Sequence, residues 1–225
     1  MGKRALLGAT AMLLVIAAAY ASFFVAPTER TMGLIQRIFY FHVGCAWAGM
    51  DAFVVCFVCN LLYVWKRGAK YDWLAVSAVE VGLVLTTVVL ISGPIWAHPV
   101  WGIWWTWDAR LTSTFVLWLL YVSYLLLRTL IDEPDRRALL SALFGIFAFL
   151  DVPLVFGAIR WWRTQHPSPV ILGGPGSGLD PTMEKVLFFS VFAMHVLAAF
   201  LIVERYLLEK MKSEVDVLQR EAEAL

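Results

Sequence analysis

The stretch WLAVSAVEVGLVLTTVVLISGPIW, residues 73–96, runs for 24 positions with one ionisable side chain, Glu80. An α-helix crosses the hydrocarbon core of a bilayer with about 20 apolar residues, so this stretch reads as a membrane span. Working outward, five further runs meet the same criterion, at 6–26, 38–65, 111–130, 138–159 and 186–208. Composition agrees: of 225 residues, 61% are hydrophobic and 16% charged, which is outside the range of a soluble domain. The expected fold is an all-α integral membrane protein with six transmembrane helices. A net charge of +1 gives no global bias toward nucleic acid or an acidic partner, so charge is informative only loop by loop.

Lys3 and Arg4 precede the first run, and small residues (Ala17, Ala18, Ala19, Ala21) cluster near its end, which is also the pattern of a signal peptide. Its apolar length favours a retained helix. With the N-terminus cytoplasmic, twelve Lys and Arg lie inside and six outside, and this asymmetry predicts an N-in, C-in topology. The outer face then carries three loops, 27–37, 97–110 and 160–185. Residues 1–208 form one six-helix transmembrane domain, and 209–225 a cytoplasmic amphipathic tail. In that tail Met211, Val215, Leu218, Ala222 and Leu225 recur at heptad spacing.

The second outer loop leads into WGIWWTWDARLTST, residues 101–114. At about 100° per residue, Trp101, Trp104, Trp105 and Asp108 share one face and Arg110 points away, which predicts a short Trp-rich amphipathic helix on the outer face. Two readings stand. The rings sit at headgroup depth, as interfacial Trp commonly does, or they form a flat surface for one planar ligand. Asp108 also suits the N-cap of the helix that begins near Leu111. Of the four histidines, His42, His98 and His166 fall on the outer side and His195 is mid-span. A packing or interfacial role is the ordinary reading of each. Two histidines in separate segments beside a Trp surface are also the ligand set of a low-spin haem.

At these residues the chain resembles a known family. WGIWWTWDARLTS is similar to the WWD signature of haem-handling membrane proteins, and the chain resembles the cytochrome c maturation protein C, or haem exporter protein C, family. The segments IFYFHVGCAW, SAVEVGLVLTTVVLISGPIWA, DVPLVFGAIRWWRTQHPSPVIL and GGPGSGLDPTM follow in the family's order. The resemblance implies that His42 and His166 are axial ligands of a b-type, non-covalent, transiently held haem. It implies that Trp101, Trp104, Trp105, Trp107 and Asp108 form the haem platform and chaperone contact, and leaves His98 without a role. It further implies a non-enzymatic subunit of the bacterial inner membrane. That subunit would present haem to a periplasmic haem chaperone (cytochrome c maturation protein E), beside the ABC transporter subunits (maturation proteins A and B) and a small single-span subunit (maturation protein D). Haem propionates need cations, and the outer arginines available are Arg37, Arg110, Arg160 and Arg163; Arg163, three residues before His166, is the first choice.

Other features carry less. Cys56 and Cys59 are followed by Asn60 where covalent haem attachment needs His, and about 21 Å of helix separates His42 from Cys56, so the cysteines read as apolar packing. The glycine-rich LGGPGSGLDP, residues 172–181, lacks the ending of a phosphate loop and reads as a flexible outer loop. Asp51, Glu80 and Asp151 fall inside spans, where an ionisable group usually faces the bundle interior. Pro153 predicts a kink near the outer end of the fifth span. The competing functional class is a membrane b-type cytochrome electron carrier, whose haems sit deeper between facing spans. A secondary transporter predicts inverted repeats and broken midplane helices, neither of which is evident.

Overall fold

The computed structural model describes residues 2–167, 170–171 and 178–223. Seven α-helices follow in order: α1 (Lys3–Tyr20), α2 (Ile38–Lys66), α3 (Ala69–Trp101), α4 (Ala109–Thr129), α5 (Pro134–Phe149), α6 (Asp151–Trp161) and α7 (Pro181–Glu223). A π-helical turn, Ala21–Val25, extends α1, and a 3-10 turn, Leu34–Arg37, leads into α2. The described residues contain no named β-strand. By length and hydropathy six helical segments are able to cross a membrane, with α5 and α6 counting as one. An even number of crossings puts both termini at one end of the bundle. The loop between α3 and α4 lies at the other, called here the Trp end.

The division of the fifth span has a clear cause. Leu150 interrupts the helix, and Pro153 follows three residues later. Proline has no N–H to give to the Phe149 carbonyl and its ring crowds that carbonyl, so the helix is interrupted at Leu150 and α6 starts at Asp151.

α2 is the central helix, packed on α3, α7 and α5. Phe53 of α2 stacks on Tyr121 of α4 with ring centroids 3.9 Å apart, within a core that includes Met50, Val79 and Leu117. Gly82 lets α3 approach closely, because a Cβ there would stand 2.7 Å from the Phe53 ring. Cys56 and Cys59 are free thiols buried in this core and Cys45 is one buried in a second cluster with Leu85 and Met194, and Asn60 Nδ2 donates to Cys56 Sγ at 3.2 Å, so they pack as expected. One buried charge is paired, Arg128 donating to both Asp72 oxygens at 2.6 and 2.9 Å, whereas Asp151, buried at the start of α6, has an Oδ2 with no partner among the described residues. Glu80 is held by Arg205 of α7, whose Nη2 donates to Oε1 at 2.8 Å, which gives it a structural partner. α7 runs unbroken through position 208, so the tail continues the sixth span. Met211, Val215 and Leu218 are exposed along it; Leu225 lies outside the described residues.

Candidate functional site

The Trp segment departs from the expected short helix. α3 ends at Trp101 because Gly102 adopts φ 72°, a left-handed conformation that favours glycine, and its N–H donates to the His98 carbonyl at 2.8 Å. α4 starts only at Ala109, and residues 103–108 between them are not helical. That connection is too short for a separate helix, and Ile, Trp and Thr in it are weak helix formers. The common face of Trp101, Trp104, Trp105 and Asp108 therefore does not form.

Instead the rings divide into three groups. Trp101 meets Trp96 edge-on at 4.8 Å. Trp104 stacks on His98 at 4.2 Å and 18°, which gives His98 a place that sequence reading left empty. Trp105 and Trp107 meet at 5.7 Å and pack with Phe115 and Trp118 along a groove of about 340 Å³ that Leu90 and Ile91 complete. A larger cavity of about 510 Å³ lies at the opposite end among Asp72, Arg128 and Glu209, away from the histidines.

Asp108 organises the loop. As N-cap of α4, Oδ1 accepts from the N–H groups of Arg110 and Leu111 at 2.9 and 3.1 Å, satisfying two orphan donors of the first turn. The same oxygen accepts from Thr164 Oγ1 at 2.7 Å. Oδ2 accepts from Thr106 Oγ1 at 2.8 Å and from the Gln165 N–H at 3.3 Å. Partial burial pushes this carboxyl up, but the hydrogen bonds from Thr164, Thr106, Leu111 and Gln165 together hold it below the usual carboxylate range. Asp108 thus fastens the third loop, two residues before His166, to the second.

His42 and His166 both lie at the Trp end. His166 and Arg110 are both within electrostatic range of the His42 ring, and Arg110 acts on His166 as well. Hydrogen-bond partners assign the same tautomer to both rings. The Ser92 hydroxyl donates to the Val88 carbonyl at 2.7 Å, so its oxygen is left to accept from His42 Nδ1 at 2.9 Å. His166 Nδ1 faces the Pro167 carbonyl at 2.9 Å, an acceptor only. In each ring Nδ1 holds the proton and Nε2 keeps its lone pair, the arrangement that prepares an imidazole to bind a metal. Burial pushes the His166 imidazole below its ordinary range and nearby Arg110 adds to this, so the ring is neutral at pH 7.

The cations are placed unequally. Arg110 Nη1 donates to the Val155 carbonyl of α6 at 2.8 Å, and Arg160 is near enough to act on its charge. Among the described residues the buried Arg37 Nε and Trp105 Nε1 have no hydrogen-bond partner. Arg163 is exposed. These residues fit haem: two imidazoles whose Nε2 atoms have no hydrogen-bond partner among the described residues, nearby cations, buried donors likewise without one, and aromatic surface. Sequence reading missed Ser92 and Thr164. Thr164 does carry a local signal, since its hydroxyl accepts from the His166 N–H two residues on, at 3.1 Å; Ser92 has none, because its partner is fifty residues away. Residues 168–169 and 172–177, most of the expected glycine-rich loop, lie outside the described residues.

The sequence profile of the heme exporter protein C family matches residues 3–224. The chain belongs to this family. It is 31% identical over 193 residues to heme exporter protein C of Bradyrhizobium diazoefficiens, covering 85% of this chain and 72% of the relative. To heme exporter protein C of Escherichia coli K12 it is 32% identical over 182 residues, covering 80% and 72%. The Paracoccus denitrificans member is 28% identical over 183 residues, covering 81% and 76%. Family membership thus extends over all six spans and both histidine-bearing segments.

Proposed function

We propose that this chain is a haem-handling subunit of cytochrome c biogenesis, and that it holds haem at the Trp end between His42 and His166. The observation that carries this reading is the matched state of the two rings, on separate elements beside one cation: Nδ1 is anchored in each, and Nε2 has no partner among the described residues. Haem supplies an iron with two axial positions and a pair of propionates. His42 is fixed on α2 by Ser92, whereas His166 sits on a loop fastened through Thr164 and Asp108. One rigid ligand and one on a loop suit reversible holding, and therefore handover.

Arg110 is the first candidate for a propionate, ahead of Arg160 and Arg37, because it acts on both histidines; Arg163, exposed, suits the rim. Trp105 and Trp107 supply apolar surface, and Trp104 with His98 caps the loop. Asp108, with both oxygens occupied, acts by positioning. The bound haem is b-type and transient, and the Trp end faces the periplasm from the bacterial inner membrane. There it is presented to a periplasmic haem chaperone, in a complex with ABC transporter subunits and a small single-span subunit. The chain performs no bond chemistry itself.

The test is haem content and optical spectrum of the purified chain and its His42→Ala, His166→Ala and Trp104→Ala variants. Loss of the bis-imidazole spectrum in each histidine variant is expected. Full haem retention in both would overturn the ligand assignment, and fast redox cycling with a quinone without chaperone loading would favour an electron carrier.

A further inference from the structure

One ionisable group faces away from the bundle in the apolar part of a span. Asp51 lies near the middle of α2, about 20 Å along the axis from Ile38 and from Lys66 at 1.5 Å per residue, which places it near the bilayer midplane. Its side chain is 67% exposed. Oδ2 is 2.8 Å from His195 Nε2 of α7, and His195 Nδ1 donates to the Val191 carbonyl at 2.7 Å. Both nitrogens of His195 are therefore occupied. Among the described residues Oδ1 of Asp51 has no partner, so the pair offers its surroundings an acceptor and no donor. Hydrocarbon does not satisfy such an acceptor, and leaving it unmet is costly.

The surrounding surface has a period. Trp47, Val54, Val58 and Leu61 are exposed on the same side of α2 as Asp51, and with it they recur at steps of four, three, four and three. That 3.5-residue repeat is the seam of helix pairing. We infer that the Asp51–His195 pair is the polar centre of an interface for a transmembrane helix of another chain, one that carries a side-chain hydrogen-bond donor at mid-depth. A symmetric second copy does not fit, since it would set acceptor against acceptor. Haem does not fit either, because its polar groups are carboxylates.

The experiment uses the full-length chain, labelled at its C-terminus and reconstituted in phosphatidylcholine vesicles. The probe is an acceptor-labelled leucine span with one central asparagine, and an all-leucine span is the control. The asparagine peptide is expected to bind about tenfold more tightly than the control, the scale of an interhelical hydrogen bond in lipid. Asp51→Leu removes that advantage, and Asp51→Asn, which keeps a carbonyl acceptor, retains it within about threefold. Val54→Trp obstructs the seam with the pair intact and lowers binding of both peptides, which covers the case in which Asp51→Leu fails to fold. Equal affinity for the two peptides, or undiminished binding to Asp51→Leu and Val54→Trp, overturns the inference. So does Asp51-dependent energy transfer between two copies of this chain.

Discussion

Thr164 donates to Asp108 Oδ1 at 2.7 Å across 56 residues of sequence, and through this bond the loop that bears His166 is tied to the N-cap of α4. Asp108→Ala removes the cap and the tie together. Loss of the cap alone costs about 0.5–2 kcal/mol. The expected result is weaker haem retention and faster proteolysis around Arg163, whereas Asp108→Asn keeps a capping oxygen and lies between. Wild-type cleavage rates in Asp108→Ala would show that the loop is held by other contacts.

Ser92 sets the orientation of His42 without being a ligand. Losing such an outer partner typically weakens a metal site about 10–100-fold. Ser92→Ala is expected to raise the haem dissociation constant by that order while leaving a bis-imidazole spectrum. An unchanged constant, measured by haem titration, would contradict the tautomer assignment.

The His166 ring is held below its ordinary value of 6.5, first by burial and then by Arg110. Iron ligation needs the neutral ring, so haem binding persists below pH 6.5 and is lost as pH falls through the lowered value. In that window the unfolded chain binds the proton and the folded chain does not, so stability also declines as pH falls. Arg110→Gln removes the cation and moves the acid midpoint of haem release upward, toward the ordinary value. Optical titration measures this midpoint, and one that stays fixed or drops counts against the coupling.

Gly93 leaves room beside His42. A Cβ there would lie 3.5 Å from His42 Cε1, an ordinary contact, so Gly93→Ala is expected to bind haem almost normally. Gly93→Leu pushes the ring aside and is expected to lose most haem at equal expression. Equal haem content in the two variants would mean that the ring has freedom the packing does not suggest.

Arg128 and Asp72 form a buried bidentate pair, with side chains 10% and 11% exposed. Removing one partner strands the other charge, which costs about 3–5 kcal/mol. Arg128→Ala is expected to lower the midpoint of thermal or SDS-induced unfolding strongly, while Trp104→Ala, at an exposed ring, leaves it nearly unchanged.

The spans were legible because a bilayer demands long apolar helices, and the Asp108 cap because it is local. That His42 and His166 lie at the same end of the bundle followed from topology. What escaped has two causes. The shared face of the tryptophans requires a helical period that Gly102 ends, although a glycine after an apolar helical run is itself a stop signal. Contacts such as Thr164 with Asp108, Ser92 with His42 and His195 with Asp51 join residues 50 to 144 positions apart, and no local pattern encodes them.

α7 has no proline or glycine after its first residue, so its 43 residues make a rod about 64 Å long, twice the thickness of the hydrocarbon it crosses. Its Trp end packs Met183, Val186 and Leu187 against Tyr40, two residues from His42. The fifth span has a joint at Leu150 and α3 is weakened by Pro94 and Pro99, but this rod has none. A force on the tail is therefore transmitted as leverage on the neighbourhood of His42, with no hinge along the way to absorb it.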